Sequence, residues 1–174
     1  YENEAPEKLA QVLAYQRLHG GVTRRVKFRH FERHLFGRSG DAAAVERLSA
    51  AYTGLVHDAV LACPFVRGAE AFLRSAHDRV DLHVVSGTPE EELVDIIERR
   101  GLSGYFKSVH GAPATKPEAF ARILAQYDYA AGRTLAVGDA PTEYFAAVEL
   151  GIAFLGVVAD GDANPFPSDV PIVP

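Results

Sequence analysis

The chain has 174 residues, 48% of them hydrophobic, and a formal net charge of −5, which allows one good core or a core plus a small accessory unit and argues against a general nucleic-acid binder, whose domains are basic. Its single cysteine, Cys63, excludes an internal disulfide and a cysteine-built zinc cluster and fits a reducing cytoplasm, the expected location. No stretch approaches the ~18 apolar residues of a membrane span, so neither membrane nor nucleic acid is expected as a partner, and the oligomeric state is not legible.

The first sixty or so residues read as helical throughout. Leu9, Val12, Leu13 and Leu18 fall near one face of a helix over residues 5–19 that Gly20-Gly21 ends. Thr23 is placed to cap a second helix reaching Phe36, with Phe28, Phe31 and Leu35 on its apolar side and Gly37 as its stop. Asp41 is placed to cap a third, in which Val45, Leu48, Tyr52, Leu55 and Val56 repeat at helical spacing. The second helix is basic, with Arg24, Arg25, Lys27, Arg29 and Arg33 against Glu32 alone. Such a face is either solvated or turned to an anion, and Arg25, Lys27 and Arg29 are the residues that would then grip a phosphate or carboxylate.

After Pro64 the pattern changes to strands alternating with helices, which implies a parallel sheet with right-handed crossovers. A helix over residues 68–78 leads to a buried-strand pattern, Leu82-His83-Val84-Val85-Ser86. Gly87 turns the chain; Thr88 and Glu91 have capping-box spacing and Pro89 suits a first helical turn. Leu93, Ile96 and Ile97 face inward on that helix until Gly101. A short strand over 105–110 follows, then a helix opened by Lys116-Pro117, with Phe120, Ile123, Leu124 and Tyr127 inward. Thr134 to Val137 form a strand that ends in Gly138-Asp139; Pro141 opens a helix with Phe145, Ala146 and Val148 to Leu150 as its apolar side. The last strand is Ala153 to Val158, and the Pro-, Asp- and Gly-rich tail from Asp160 to Pro174 reads as loop, including the Asp160-Gly161-Asp162 triplet.

Three polar points therefore fall at the carboxyl edge of one sheet, where ligands sit in open α/β folds. Ser86 ends one strand, and the amides of Gly87 and Thr88 are further donors at a helix start. Lys116 offers a point charge to a phosphoryl oxygen. Asp139, with Glu143 four residues later, offers hard oxygen donors suited to Mg²⁺, unless Asp139 merely caps its helix.

The ordered set resembles the haloacid dehalogenase superfamily. Val84-Val85-Ser86-Gly87-Thr88-Pro89 resembles its second motif, Lys116-Pro117 its third, and Gly138-Asp139-Ala140-Pro141-Thr142-Glu143 its fourth, over about residues 64–159. The helical first part resembles the α-helical cap of the subgroup of phosphoglycolate phosphatase and β-phosphoglucomutase. The resemblance implies an α/β fold, a Rossmann-like parallel-sheet core over 64–174 with a helical cap over 1–63. It also implies a Mg²⁺-dependent phosphatase acting on a small phosphorylated metabolite through an aspartyl-phosphate. Ser86, Gly87 and Thr88 would bind phosphate, Lys116 would stabilise phosphate and nucleophile, and Asp139 and Glu143 would hold Mg²⁺. A phosphomutase or dehalogenase of the same superfamily, or an inactive binding or regulatory module on its scaffold, are the alternatives.

Two departures stand out. Glu143 occupies a position where the family usually has Asp. The family's first motif, an apolar strand ending in Asp-x-Asp that carries the nucleophile and the central strand, is not found before the cap. The chain contains no methionine and begins at Tyr1, so the expectation is that this motif lies upstream of residue 1 in the gene product.

Overall fold

The computed structural model describes residues 1–174, which divide into two compact units, Tyr1–Cys63 and Pro64–Pro174.

The first unit is four helical segments. Helix α1 spans Pro6–Leu18 and α2 spans Arg24–His30. The chain then widens into a π-helical turn, Phe31–Leu35, in which the Phe36 amide reaches back five residues to the Phe31 carbonyl, so the single second helix expected from the sequence is two segments with different hydrogen bonding. Thr23 makes no side-chain cap bond, whereas Asp41 accepts the amide of Ala44 and caps the long helix α3, Ala42–Ala62. The core is Phe28, Phe31 and Val45, with Tyr1, Val12, Tyr15, Leu35, Phe36 and Leu48 packed around it. Phe31 is 2% exposed; burying such a side chain contributes about 1.5–3 kcal/mol. Leu55, on the expected apolar stripe of α3, is 82% exposed, because the unit's core reaches only the amino-terminal half of that helix.

The second unit alternates helices and parallel strands. Helix α4 is Ala69–Ala76, strand β1 is His83–Pro89, helix α5 is Glu90–Arg99, strand β2 is Ser108–Ala112 and helix α6 is Lys116–Tyr127. Strand β3 is Leu135–Gly138, helix α7 is Pro141–Glu149 and strand β4 is Ala153–Val157. A two-residue strand β5, Ile172–Val173, adds to β4 from within the tail that reads as loop by composition. Two residues are too few to leave a periodic signal.

The strands form two parallel ladders, β1–β2 and β3–β4–β5. One continuous sheet is the sequence-based expectation; here β1 pairs with β2 alone and β3 with β4 alone. The second ladder carries the core, Ala136, Ala147, Ile152, Phe154 and Phe166, with Phe120, Leu124, Tyr144 and Leu150 against it. On α7 the inward residues are Ala146 and Ala147; Phe145 and Val148, expected inward, are 64% and 57% exposed. Leu135 and Val137, on the face of β3 opposite buried Ala136, are exposed as well. The α/β class is as read from the sequence; the division into two ladders and the outward apolar faces are not.

Candidate functional site

The carboxyl end of β1 leaves its ladder before it ends. Val85 pairs with His110 and Pro89 with Ala112, so Ser86, Gly87 and Thr88 form a bulge without partners in β2. The Ser86 hydroxyl accepts the Thr88 amide at 3.2 Å and donates to the Thr88 hydroxyl at 3.1 Å, which closes the bulge into a small polar turn. The extended backbone runs to Pro89 and α5 begins at Glu90, so the capping box expected between Thr88 and Glu91 does not form: Thr88 is spent on the bulge. Gly111 is what permits this geometry. A Cβ there would stand 2.4 Å from the Glu90 Cα and 2.7 Å from the Thr88 carbonyl oxygen. The Gly111 amide donates instead to the Glu90 carboxylate at 3.1 Å.

Lys116 is the first residue of α6, and its position is set by a capping box that the sequence spells as Thr115-Lys116-Pro117-Glu118. The Thr115 hydroxyl accepts the Glu118 amide at 3.4 Å, and the Glu118 carboxylate accepts the Thr115 amide at 2.8 Å. From this fixed start the Lys116 ammonium donates to the Val85 carbonyl at 2.7 Å and meets the Glu143 carboxylate at 2.7 Å. Both side chains are nearly closed off from solvent, 11% and 10% exposed. Thr142 adds a long hydroxyl contact to the same carboxylate, at 3.4 Å.

Gly138 makes room for Glu143. A Cβ on Gly138 would approach the Glu143 Cγ at 3.0 Å, so the glycine lets that side chain fold back over the end of β3. Asp139, next in sequence, is exposed and makes no side-chain hydrogen bond or ion pair. It does not cap α7: the capping position is Ala140, with no side-chain cap bond. Asp139 is thus an unengaged carboxylate, and Glu143 an engaged one.

The structure brings together the end of β1, the start of α6 and the start of α7 around one ammonium group. The bulge supplies the Ser86 and Thr88 hydroxyls, bonded to each other, Lys116 a fixed positive charge, and Asp139, at the end of β3, an unengaged carboxylate. Such a set can receive a phosphoryl oxygen on one side and a divalent cation on the other. The direct Lys116–Glu143 pair is not foreseeable from sequence spacing; the capping box that aims Lys116 is. A cleft of about 480 Å³ lined by Glu90, Gly111, Pro113, Ala114, Glu118 and Arg122 includes none of Ser86, Lys116, Asp139 or Glu143. Charged groups converge at the Lys116 cluster rather than in this cleft.

In the first unit, Arg25 is held by Glu46 through two contacts of 2.9 Å. Lys27 is buried, donates to the Gly20 carbonyl at 3.3 Å, and is held below the ordinary lysine range by desolvation. Arg29 is exposed, with no side-chain partner.

A family model described as haloacid dehalogenase-like hydrolase matches residues 3–151. A search of curated protein sequences gives no match. Among solved structures, the chain is similar to the HAD-hydrolase YfnB from Bacillus subtilis, bound to magnesium, at TM-score 0.69 and 18% identity over 98% of this chain and 79% of that one. It is similar to a predicted phosphoglycolate phosphatase from Haemophilus somnus, at 0.66 and 18% over 88% and 70%. It is also similar to a predicted phosphatase from Clostridium acetobutylicum, at 0.65 and 18% over 79% and 64%. At this identity the likeness is one of fold.

Proposed function

The chain belongs to the haloacid dehalogenase-like hydrolase family, and we propose that it is the greater part of a Mg²⁺-dependent phosphatase acting on a small phosphorylated metabolite. The observation that carries this reading is the nearly enclosed Lys116–Glu143 pair beside the Ser86 bulge, with Asp139 left unengaged. A lysine so placed is a fixed cation for phosphoryl oxygens.

The donor set suits Mg²⁺. Asp139 is a free carboxylate, and this ion is commonly held by one or two carboxylates with water and substrate phosphate completing its shell. When bound, the metal would neutralise phosphate charge. Ser86 and the turn amide of Gly87, and the Thr88 amide once released from the Ser86 hydroxyl, would orient the transferring group, and Lys116 would stabilise the charge that develops on it. Glu143, spent on Lys116, would hold that ammonium in place and reach the metal only through water.

The attacking carboxylate, which would form the aspartyl-phosphate, is proposed to lie outside these 174 residues, on a further parallel strand. Supporting this are the free edges of β1 and β3 and the exposed apolar face of β3 at Leu135 and Val137. Of the three basic residues singled out in the first unit, only Arg29 has no side-chain partner, since Arg25 and Lys27 are engaged.

The test is turnover of an aryl phosphate by the full gene product. Asp139→Asn and Lys116→Ala are each expected to lower it by at least about 10²-fold, and EDTA to abolish it until Mg²⁺ is returned. Unchanged rates in both variants would sink the proposal; dehalogenation insensitive to EDTA would favour the dehalogenase alternative.

A further inference from the structure

A second polar constellation lies on the β1–β2 ladder, apart from the Lys116 cluster. His83 opens β1 and faces Ser108, which opens β2; His110, two residues on, shares the Ser108 side of the pleat. The Ser108 hydroxyl oxygen lies 2.7 Å from His83 Nδ1 and 2.7 Å from His110 Nε2. One hydroxyl thus bridges two imidazoles and both strands.

Hydrogen counting limits what this bridge can hold. A hydroxyl has one hydrogen, so it donates to one ring and must receive a hydrogen from the other. His83 Nε2, the far nitrogen of that ring, is buried without a partner, against the rings of Tyr127 at 4.9 Å and Tyr129 at 5.7 Å. A buried N–H with no acceptor is the rarer and costlier arrangement. The geometry therefore favours one polarity: His83 Nδ1–H donates to Ser108, and Ser108 donates to His110 Nε2.

We propose that His83, Ser108 and His110 form a proton-operated latch between β1 and β2, closed when both imidazoles are neutral and opened by proton uptake. A proton on His110 Nε2 puts three hydrogens into two gaps, and the Ser108 hydroxyl loses its acceptor. The only way to restore the chain is to move the His83 hydrogen to its buried Nε2. Because β1 runs on to Ser86 and β2 leads into the loop before Lys116, opening the latch loosens the rim that both residues stand on.

The groups around the relay agree with this. Burial holds both imidazoles below the ordinary histidine range. Around His83, Asp81 before β1 pulls upward, while His110 and Lys107 before β2 push downward. Around His110, Arg122 on α6 pushes downward and Glu90 at the start of α5 pulls upward. With both values lower in the folded chain than in the unfolded, the unfolded chain takes up protons first as pH falls. The stability the latch contributes is therefore complete above about pH 6.5 and is lost progressively below it.

Long-range proton–nitrogen NMR on the full gene product tests this directly. At pH 7.5 His83 should carry its hydrogen on Nδ1, His110 Nε2 should be unprotonated, and both should titrate below the ordinary value. Ser108→Ala separates the relay from burial: it removes the acceptor conflict while leaving the site apolar, so His110 proton affinity should rise about five-fold. The loss of thermal stability between pH 7.5 and 5.5 should shrink with it. His83 with its hydrogen on Nε2, or His110 affinity unchanged or lower in the variant, would overturn the latch. Should the variant not fold, the wild-type tautomers decide alone.

Discussion

Lys27 in one unit is buried and Lys116 in the other is nearly closed off from solvent, and their surroundings differ. Lys27 in the helical unit has a single carbonyl, that of Gly20, at 3.3 Å, and desolvation drags its ammonium below the ordinary range. Lys116 in the α/β unit has the Val85 carbonyl and the Glu143 carboxylate, each at 2.7 Å. The first is a packing residue whose methylene stem is wanted and whose charge is a burden. The second is held for its charge, by a counter-ion that a glycine at 138 makes room for. Burial alone does not distinguish the two lysines; a supplied opposite charge does.

That contrast can be broken by substitution. Lys116→Met should cost the most, about 3 kcal/mol or more by urea unfolding, because Glu143 is then a buried carboxylate without a partner. Adding Glu143→Leu should recover most of that loss while leaving the proposed activity absent. A double variant as unstable as the single one would show that the pair is not the cause. Lys27→Met keeps the stem and removes the charge, so it should be neutral or stabilising by about 1 kcal/mol. A clear destabilisation there would erase the distinction between the two lysines. Arg25→Ala should matter least: its pair with Glu46 is solvent-screened, with 38% and 60% of the side chains exposed, and the thermal midpoint should stay within scatter.

Where the structure departs from the sequence pattern, each departure has its own local cause. Thr88 and Glu91 have capping-box spacing, yet Thr88 closes the Ser86 bulge and the helix starts without a cap. Thr115 and Glu118 have the same spacing and do form the box. The difference is Gly111, which draws β2 against Thr88 and Glu90 and holds the backbone extended to Pro89. On α7, Phe145 and Val148 satisfy an apolar pattern but Ala146 and Ala147 take the core positions, since only small side chains fit where the helix meets β3 and β4. Asp139 has the chemistry of a cap but stands one residue too early to serve as one.

By itself the sequence determined the order and type of the elements apart from β5 and the π-helical turn, the α/β class, and the three chain points at which Ser86, Lys116 and Asp139 would stand. These follow from periodicity, caps and strand ends, which act over a few residues and are written locally. Only the tertiary structure decided that Glu143 answers Lys116, that the Lys116 ammonium reaches a carbonyl 31 residues away, and that Ser108 bridges two histidines. Those are contacts between distant segments. Their partners are selected by which strands lie side by side and where a missing Cβ leaves room, and neither is encoded at any single position.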